Sequence, residues 1–142
     1  MDFLLFLTPI NKAIVHDLIA AKIKLVENSA ICQKNSRYYG FFHKTKSLIV
    51  CTENILRETD NPRHWINQTI THEAVHAAQH CNGRKPLGIG RENMPLPFSK
   101  LNYLIASSEM SNHKHSFDME HEAYYLEDSP QRVRSYIKKF CF

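Results

Sequence analysis

The chain has 142 residues, of which 43% are hydrophobic and 23% are charged. These proportions are ordinary for a globular domain, and no internal repeat or low-complexity tract interrupts them. The formal net charge of +4 is modest and spread along the chain, so we expect no nucleic-acid partner. No stretch approaches the run of about 20 apolar residues that crosses a bilayer. We therefore expect one domain over residues 1–142 without a membrane span.

The spacing of the cysteines bears on metal binding and on the compartment. There are four of them, Cys32, Cys51, Cys81 and Cys141. None belongs to a Cys-x-x-Cys pair, which argues against a zinc site made of cysteines alone. The N-terminal apolar run is short and carries Asp2 where a secretory signal has positive charge. We therefore expect a cytoplasmic protein with reduced thiols.

The first 60 residues are predicted to contain one long helix and two strands. Thr8-Pro9 is a typical helix start, and apolar residues then recur at helical spacing, which predicts a helix over residues 9–27. Residues 30–37 are expected to form a loop. Aromatic residues at 37–42, a turn at 44–46 and an apolar run at 47–51 predict an antiparallel hairpin. A short helical turn is expected within residues 53–60.

The remainder is predicted to be mostly helical. One helix begins at Asn61-Pro62 and ends near Gly83. Residues 83–99 hold three of the four glycines and three of the six prolines, which predicts a loop. Further helices are expected after Ser99, over residues 117–127 and from Pro130, with a polar break at 111–116. The fold class is therefore α+β, with a short antiparallel sheet or hairpin packed against a mostly helical body.

The sequence Thr71-His72-Glu73-Ala74-Val75-His76 contains a His-Glu-x-x-His motif inside the helix predicted from Pro62. Residues four apart lie on one face of a helix, so His72 and His76 can point at the same metal ion. Glu73 is adjacent, and its carboxylate can reach a water molecule on that ion. This is the arrangement of zinc peptidases, with two histidine ligands and a glutamate as general base. An apolar stripe on the same helix predicts its buried side, formed by Ile66, Ile70, Ala74, Ala77 and Cys81.

A catalytic zinc site has three protein ligands as a rule, so a third must come from elsewhere in the chain. Gln79 and Asn82 exclude the extended motif in which a glycine and a third histidine follow. A carboxylate from a later helix remains, and Glu120 and Glu122 lie about 200° apart on such a helix, so only one of them can face the metal. Further candidates for the third ligand are Asp118, His80 and His121.

Three parts of the chain together resemble a known family of zinc metallopeptidases. Gly40-Phe41-Phe42, the segment from Leu48 to Asn54 and the motif helix from Thr71 to Cys81 are similar to the family whose mitochondrial member processes an ATP-synthase subunit. That family, of the gluzincin type, follows its motif with Glu-x-x-Ala, which residues 120–123 match. Here the gap between the two motifs is longer than in the family.

The resemblance implies a small zincin-like fold in which a strand lies beside the motif helix. It implies that His72, His76 and Glu120 bind Zn²⁺ and that Glu73 is the general base. We therefore expect a zinc metalloendopeptidase with a protein or peptide substrate, aligned by edge pairing with the strand at 47–51. An oxyanion stabiliser is also required, and the candidates are Tyr103, His115, Tyr124 and Tyr125. The alternative is a non-catalytic metal-stabilised or partner-binding protein that keeps this fold.

Overall fold

The computed structural model describes residues 3–109 and 115–142. Within these ranges the structure has seven α-helices and a three-stranded sheet. The helices are α1 (Pro9–Ala20), α2 (Ala30–Lys34), α3 (Thr52–Glu58), α4 (Pro62–Cys81), α5 (Phe98–Glu109), α6 (Ser116–Leu126) and α7 (Pro130–Cys141), and the strands are β1 (Lys24–Glu27), β2 (Gly40–His43) and β3 (Ser47–Val50). The α+β class with a short sheet on a helical body is confirmed. Most of the predicted polar break at 111–116 lies outside the described residues.

The motif helix α4 is the central element and packs against α1, α6, α7 and the sheet. It begins where the sequence predicts, because the side chain of Asn61 accepts a hydrogen bond from the backbone N–H of His64 at 3.2 Å. Its predicted stripe is buried except at Cys81, which is partly buried, and Ile66, Ile70 and Ala74 are fully inaccessible to solvent. Although α4 has 20 residues, neither it nor any other helix in the described ranges has the apolar length of a membrane span.

The N-terminal helix is shorter than predicted. It ends at Ala20, and Lys22 adopts a left-handed conformation with φ of 67° that stops helical hydrogen bonding. Residues 24–27 instead form β1, which pairs in parallel with β3. The expected loop at 30–37 likewise contains α2. The first prediction was wrong because pairing with a distant strand overrides the local helical pattern. The second was wrong because distant contacts hold this segment, among them the side chain of Asn54, which donates to the carbonyl oxygens of Cys32 and Asn35.

The predicted hairpin is present, but its strands have different roles from those expected. The strand order is β1-β3-β2, so β3 is central and hydrogen-bonded on both sides. The expectation that the strand at 47–51 aligns a substrate through a free edge is therefore wrong. The edge strand beside α4 is β2.

Gly40 lets β2 approach α4 closely. A Cβ atom on Gly40 would lie 2.6 Å from the Cγ2 atom of Thr69 and 2.7 Å from the carbonyl oxygen of Ile49. Both distances are shorter than van der Waals contact, so any side chain at this position would push the strand away from the helix. The ring of Phe42 lies 5.6 Å from that of His80, and so β2 follows α4 over several turns.

The four cysteines form two disulfides, so the expectation of reduced thiols is wrong. Cys32 pairs with Cys51 across a Cα–Cα distance of 5.5 Å, which ties α2 to the end of β3. Cys81 pairs with Cys141 across 5.1 Å, which ties the end of α4 to the end of α7. The partners are 19 and 60 residues apart in sequence, and only the packing of their elements brings them within bonding range.

Replacing Cys81 and Cys141 together by serine should lower the free energy of unfolding by about 4 kcal/mol, because it frees a long closed loop in the unfolded chain. The matched double variant of Cys32 and Cys51 frees a shorter loop and should lose about 3 kcal/mol. Urea unfolding under non-reducing conditions measures both losses. A reducing agent that leaves the unfolding midpoint of the unmutated protein unchanged would contradict this prediction.

Candidate metal centre

The structure brings together three of the residues that the sequence singles out. His72 and His76 project from successive turns of α4, with ring centroids 5.2 Å apart. Helix α6 docks against α4 and directs the carboxylate of Glu120 at both rings. The Oε1 atom of Glu120 lies 2.6 Å from the Nε2 atom of His76, and its Oε2 atom lies 3.5 Å from the Nε2 atom of His72. The fully buried Ala123 on the same helix is small enough to allow this close docking.

These three side chains fit a zinc ion. Each offers one ligand atom, and the three atoms lie within 4.8 Å of one another. Ligand atoms around a tetrahedral zinc ion are about 3.3 Å apart, as follows from zinc–ligand bonds of about 2 Å. The spacing of His72 and Glu120 already matches this value. The spacing of His76 and Glu120 is that of a hydrogen bond and would lengthen when an ion enters.

The other candidates for the third ligand have different partners. Glu122 accepts hydrogen bonds from backbone N–H groups of the loop after α4. His121 bonds a backbone carbonyl of that loop, and Asp118 pairs with an arginine there. His80 packs against the sheet. Among the candidates in the described residues, Glu120 is therefore the acidic residue that meets the two histidines.

Glu73 is buried beside this cluster without being part of it. Only 6% of its surface is exposed, and its Oε2 atom has no hydrogen-bond partner among the described residues. Burial raises the pKa of its carboxyl group, although the charges of His72 and His76 oppose that shift. A buried polar atom without a partner is costly and rare. A water molecule bound beside it would satisfy it.

The charged groups of the cluster shift one another's pKa values. Burial alone would lower the pKa values of His72 and His76, but the interactions with Glu120 raise both of them, and Glu127 adds to the effect on His72. Burial alone would raise the pKa of Glu120, but the two histidines hold it well below its ordinary value. In the metal-free protein, protons on the imidazoles therefore take the place that a cation would occupy.

Sequence reasoning missed two side chains that hold the histidines. The Nδ1 atom of His72 lies 2.9 Å from the Oε2 atom of Glu127, and that of His76 lies 2.8 Å from the Oε1 atom of Gln79. Helical spacing contained a signal for both. Gln79 follows His76 by three residues, and Glu127 follows Glu120 by seven, two turns along the same face.

Tyr124 is the oxyanion candidate that lies at the cluster. Its ring centroid is 4.6 Å from that of His72, and its hydroxyl is 2.8 Å from the hydroxyl of Ser107. Burial raises the pKa of the phenol, so it stays protonated and can donate a hydrogen bond. Tyr125 instead packs against Arg132. Of the other two candidates, Tyr103 is largely exposed. His115 immediately precedes α6.

A family model described as a domain of unknown function, DUF8637, matches residues 3–142. The chain belongs to the DUF8637 family. No curated protein and no solved structure matches it. Because the family description specifies no activity, the chemistry of this DUF8637 domain rests on the geometry of the site.

Replacing Glu120 by glutamine should weaken zinc binding by at least about 100-fold, because it removes both a ligand atom and the negative charge that offsets Zn²⁺. Competition with a chromophoric chelator measures this affinity. Asp118→Asn is the matched control, since it removes a carboxylate from the same helix but one that pairs with Arg91. Equal zinc affinities for the two variants would rule out Glu120 as a ligand.

The stability of this DUF8637 domain should depend on pH in opposite directions with and without zinc. The raised pKa values of His72 and His76 give the metal-free protein stability that is fully present below about pH 6.5 and lost as the pH rises through the folded-state values. Zinc requires deprotonated ligands, so the stability it adds should grow over the same range. Urea unfolding between about pH 6 and pH 8, with and without zinc, tests both trends.

The control for this experiment is the double variant His72→Gln with His76→Gln. It should flatten the metal-free slope and abolish the stabilisation by zinc. Two results would contradict the prediction. In the first, the metal-free protein becomes more stable as the pH rises. In the second, it loses the same stability with and without these two histidines.

Proposed function

We propose that this protein is a zinc-dependent metallopeptidase that hydrolyses peptide bonds. The observation that carries the proposal is the placement of Glu73, whose buried carboxylate has an unpartnered oxygen beside His72, His76 and Glu120. A purely structural zinc site has no use for a buried carboxylate that leaves one oxygen without a partner. A hydrolase requires such a group as its general base.

His72, His76 and Glu120 would hold the ion, and the two imidazoles and one carboxylate leave a coordination position for substrate chemistry. Bound zinc would supply Lewis acidity, which lowers the pKa of water and polarises the scissile carbonyl. Glu73 takes a proton from the attacking water and delivers it to the leaving amine. Its raised pKa suits this task, because a base that must return its proton works best near the operating pH.

Tyr124 is the protein donor best placed to stabilise negative charge on the carbonyl oxygen. Its ring packs against His72, and Ser107 fixes its hydroxyl from α5. A neutral phenol held in a half-buried position is a preorganised donor, and such donors contribute more where water is excluded than in solvent.

The edge strand β2 offers a way to align an extended peptide. A Cβ atom at Gly40 would stand 3.4 Å from the Cγ atom of Glu73, so the strand passes directly beside the general base. A substrate that adds to this edge as a further strand would place its backbone across the site, with main-chain hydrogen bonds providing affinity independent of sequence. The proposed substrate class is therefore an extended segment of polypeptide.

The two disulfides bear on the compartment in which this chemistry would take place. Disulfides persist in oxidising compartments and are rare in the cytosol. Cys81 is the last residue of the motif helix, so its bond to Cys141 directly supports the element that carries the site. The disulfides therefore favour an oxidising compartment over the cytoplasm.

Replacing Glu73 by glutamine should reduce peptide hydrolysis by at least about 100-fold, because the amide cannot accept the proton of the attacking water. Zinc affinity should change little, since Glu73 is not a ligand. The experiment incubates the zinc-loaded protein with a mixture of unstructured synthetic peptides and follows cleavage by mass spectrometry. Undiminished cleavage by the zinc-bound variant would refute the mechanism.

The same measurements separate the peptidase from a non-catalytic metal-stabilised protein. Such a protein would gain stability from zinc, yet neither it nor the Glu73→Gln variant would cleave any peptide. The peptidase should lose cleavage on treatment with a chelator and regain it when zinc is added back.

A further inference from the structure

The Nδ1 atom of each histidine in the metal centre begins a chain of hydrogen bonds that leads away from the metal position. The acceptor for His72 Nδ1 is a carboxylate oxygen of Glu127. For His76 it is the amide oxygen of Gln79, whose amide nitrogen lies 3.0 Å from the carbonyl oxygen of Met119. A carboxylate or amide oxygen accepts, so the Nδ1 atom donates on both rings. The Nε2 atom is therefore the one that releases its proton when a metal binds.

Behind Gln79 lies a second carboxylate, that of Glu122, which is only 1% exposed. It accepts a hydrogen bond from the amide nitrogen of Gln79 at 2.8 Å. It also accepts from the backbone N–H groups of Leu87 at 2.7 Å and Gly88 at 3.1 Å. Three donors thus fix this buried carboxylate, and it in turn fixes the amide that orients His76.

The carboxylate of Glu127 also pairs with a cation, the ammonium group of Lys100. The Nζ atom of Lys100 is 3.1 Å from the Oε1 atom of Glu127, while the other carboxylate oxygen of Glu127 faces His72. The same ammonium group lies 2.6 Å from an oxygen of Asp128 and 3.0 Å from the carbonyl oxygen of Tyr124. Lys100 therefore holds the end of α6 in the position from which Glu127 reaches His72.

Both chains of hydrogen bonds end in the same stretch of sequence. Leu87 and Gly88 lie in the glycine- and proline-rich loop, and Lys100 lies in the first turn of α5. This stretch, residues 83–109, connects α4 to the region before α6 and supplies no metal ligand itself. We propose that residues 83–109 are a positioning element for the metal centre, which acts on His76 through Glu122 and Gln79 and on His72 through Glu127.

This inference rests on the proposed zinc site and predicts what the segment does for it. Groups that orient the ligands of a metal are worth about 10- to 100-fold in its affinity. Lys100→Met keeps the length of the side chain but removes the charge, and should weaken zinc binding by about 10-fold. Lys100→Arg should restore most of the affinity, because a cation again meets Glu127. Gln79→Met should weaken binding by at least as much as Lys100→Met.

Two control variants remove contacts between the same elements and leave both chains of hydrogen bonds intact. Asp118→Asn and Arg91→Met each break the ion pair between the loop and α6. Both should leave zinc affinity within about twofold, even where they lower the free energy of unfolding. If the segment only stabilised the fold, zinc affinity would fall together with the free energy of unfolding across all the variants.

The experiment titrates each full-length variant with Zn²⁺ against a competing chelator and records the absorption spectrum of the Co²⁺-substituted protein. If Lys100 acts through Glu127, then Lys100→Met combined with Glu127→Gln should bind zinc no more weakly than Glu127→Gln alone. The visible bands of bound cobalt should shift in Gln79→Met and Lys100→Met but not in the two controls, because the orientation of the imidazoles changes.

The outcomes separate this inference from the proposed function. Unchanged zinc affinity and cobalt spectra in Lys100→Met and Gln79→Met, with binding lost in His76→Ala, would overturn the positioning role and leave the metal site standing. An unmutated protein that binds neither Zn²⁺ nor Co²⁺ would overturn both. Fully multiplicative losses in the Lys100 and Glu127 double variant would also overturn the action through Glu127.

Discussion

Glu120 joins α6 to α4 by placing one carboxylate between two imidazoles in a largely buried position. Charged groups away from water are stable only when they are paired and hydrogen-bonded. In the metal-free protein the pairing is met by protons on the histidines, and a zinc ion would meet it more fully. The remaining architecture keeps these three groups together. Loss of Glu120 would deprive both imidazoles of the carboxylate that they share.

The elements around the cluster approach one another closely because small residues lie where they touch. Ala123 lets α6 lie against α4, and Gly40 lets β2 lie along its other side. The Cys81–Cys141 disulfide then fixes the end of α4 to the last helix of the chain. A short sheet and a set of short helices can thus hold a site that needs sub-ångström order in its ligands.

Two carboxylates near the same histidines have opposite electrostatic environments. Glu73 is buried with one unpartnered oxygen, which raises its pKa, whereas the two imidazoles depress the pKa of Glu120. Divergent pKa values in neighbouring groups are the usual basis for different roles in catalysis. Here they match a proton-accepting Glu73 and a Glu120 that favours its charged form, and the proposed hydrolysis requires these two different roles.

By itself the sequence determined the motif helix, its start and its buried stripe, and the placement of His72, Glu73 and His76 on adjoining parts of it. It also determined the hairpin and the approximate extents of α6 and α7. These features follow from capping residues and from periodicity, which act over a few neighbouring residues. Only the tertiary structure decided that Glu120 meets the histidines, that β2 is the edge strand, that residues 24–27 form a strand and that the cysteines pair. Each of these depends on how elements far apart in the chain dock, and docking is decided by the packing of whole surfaces rather than by local spacing.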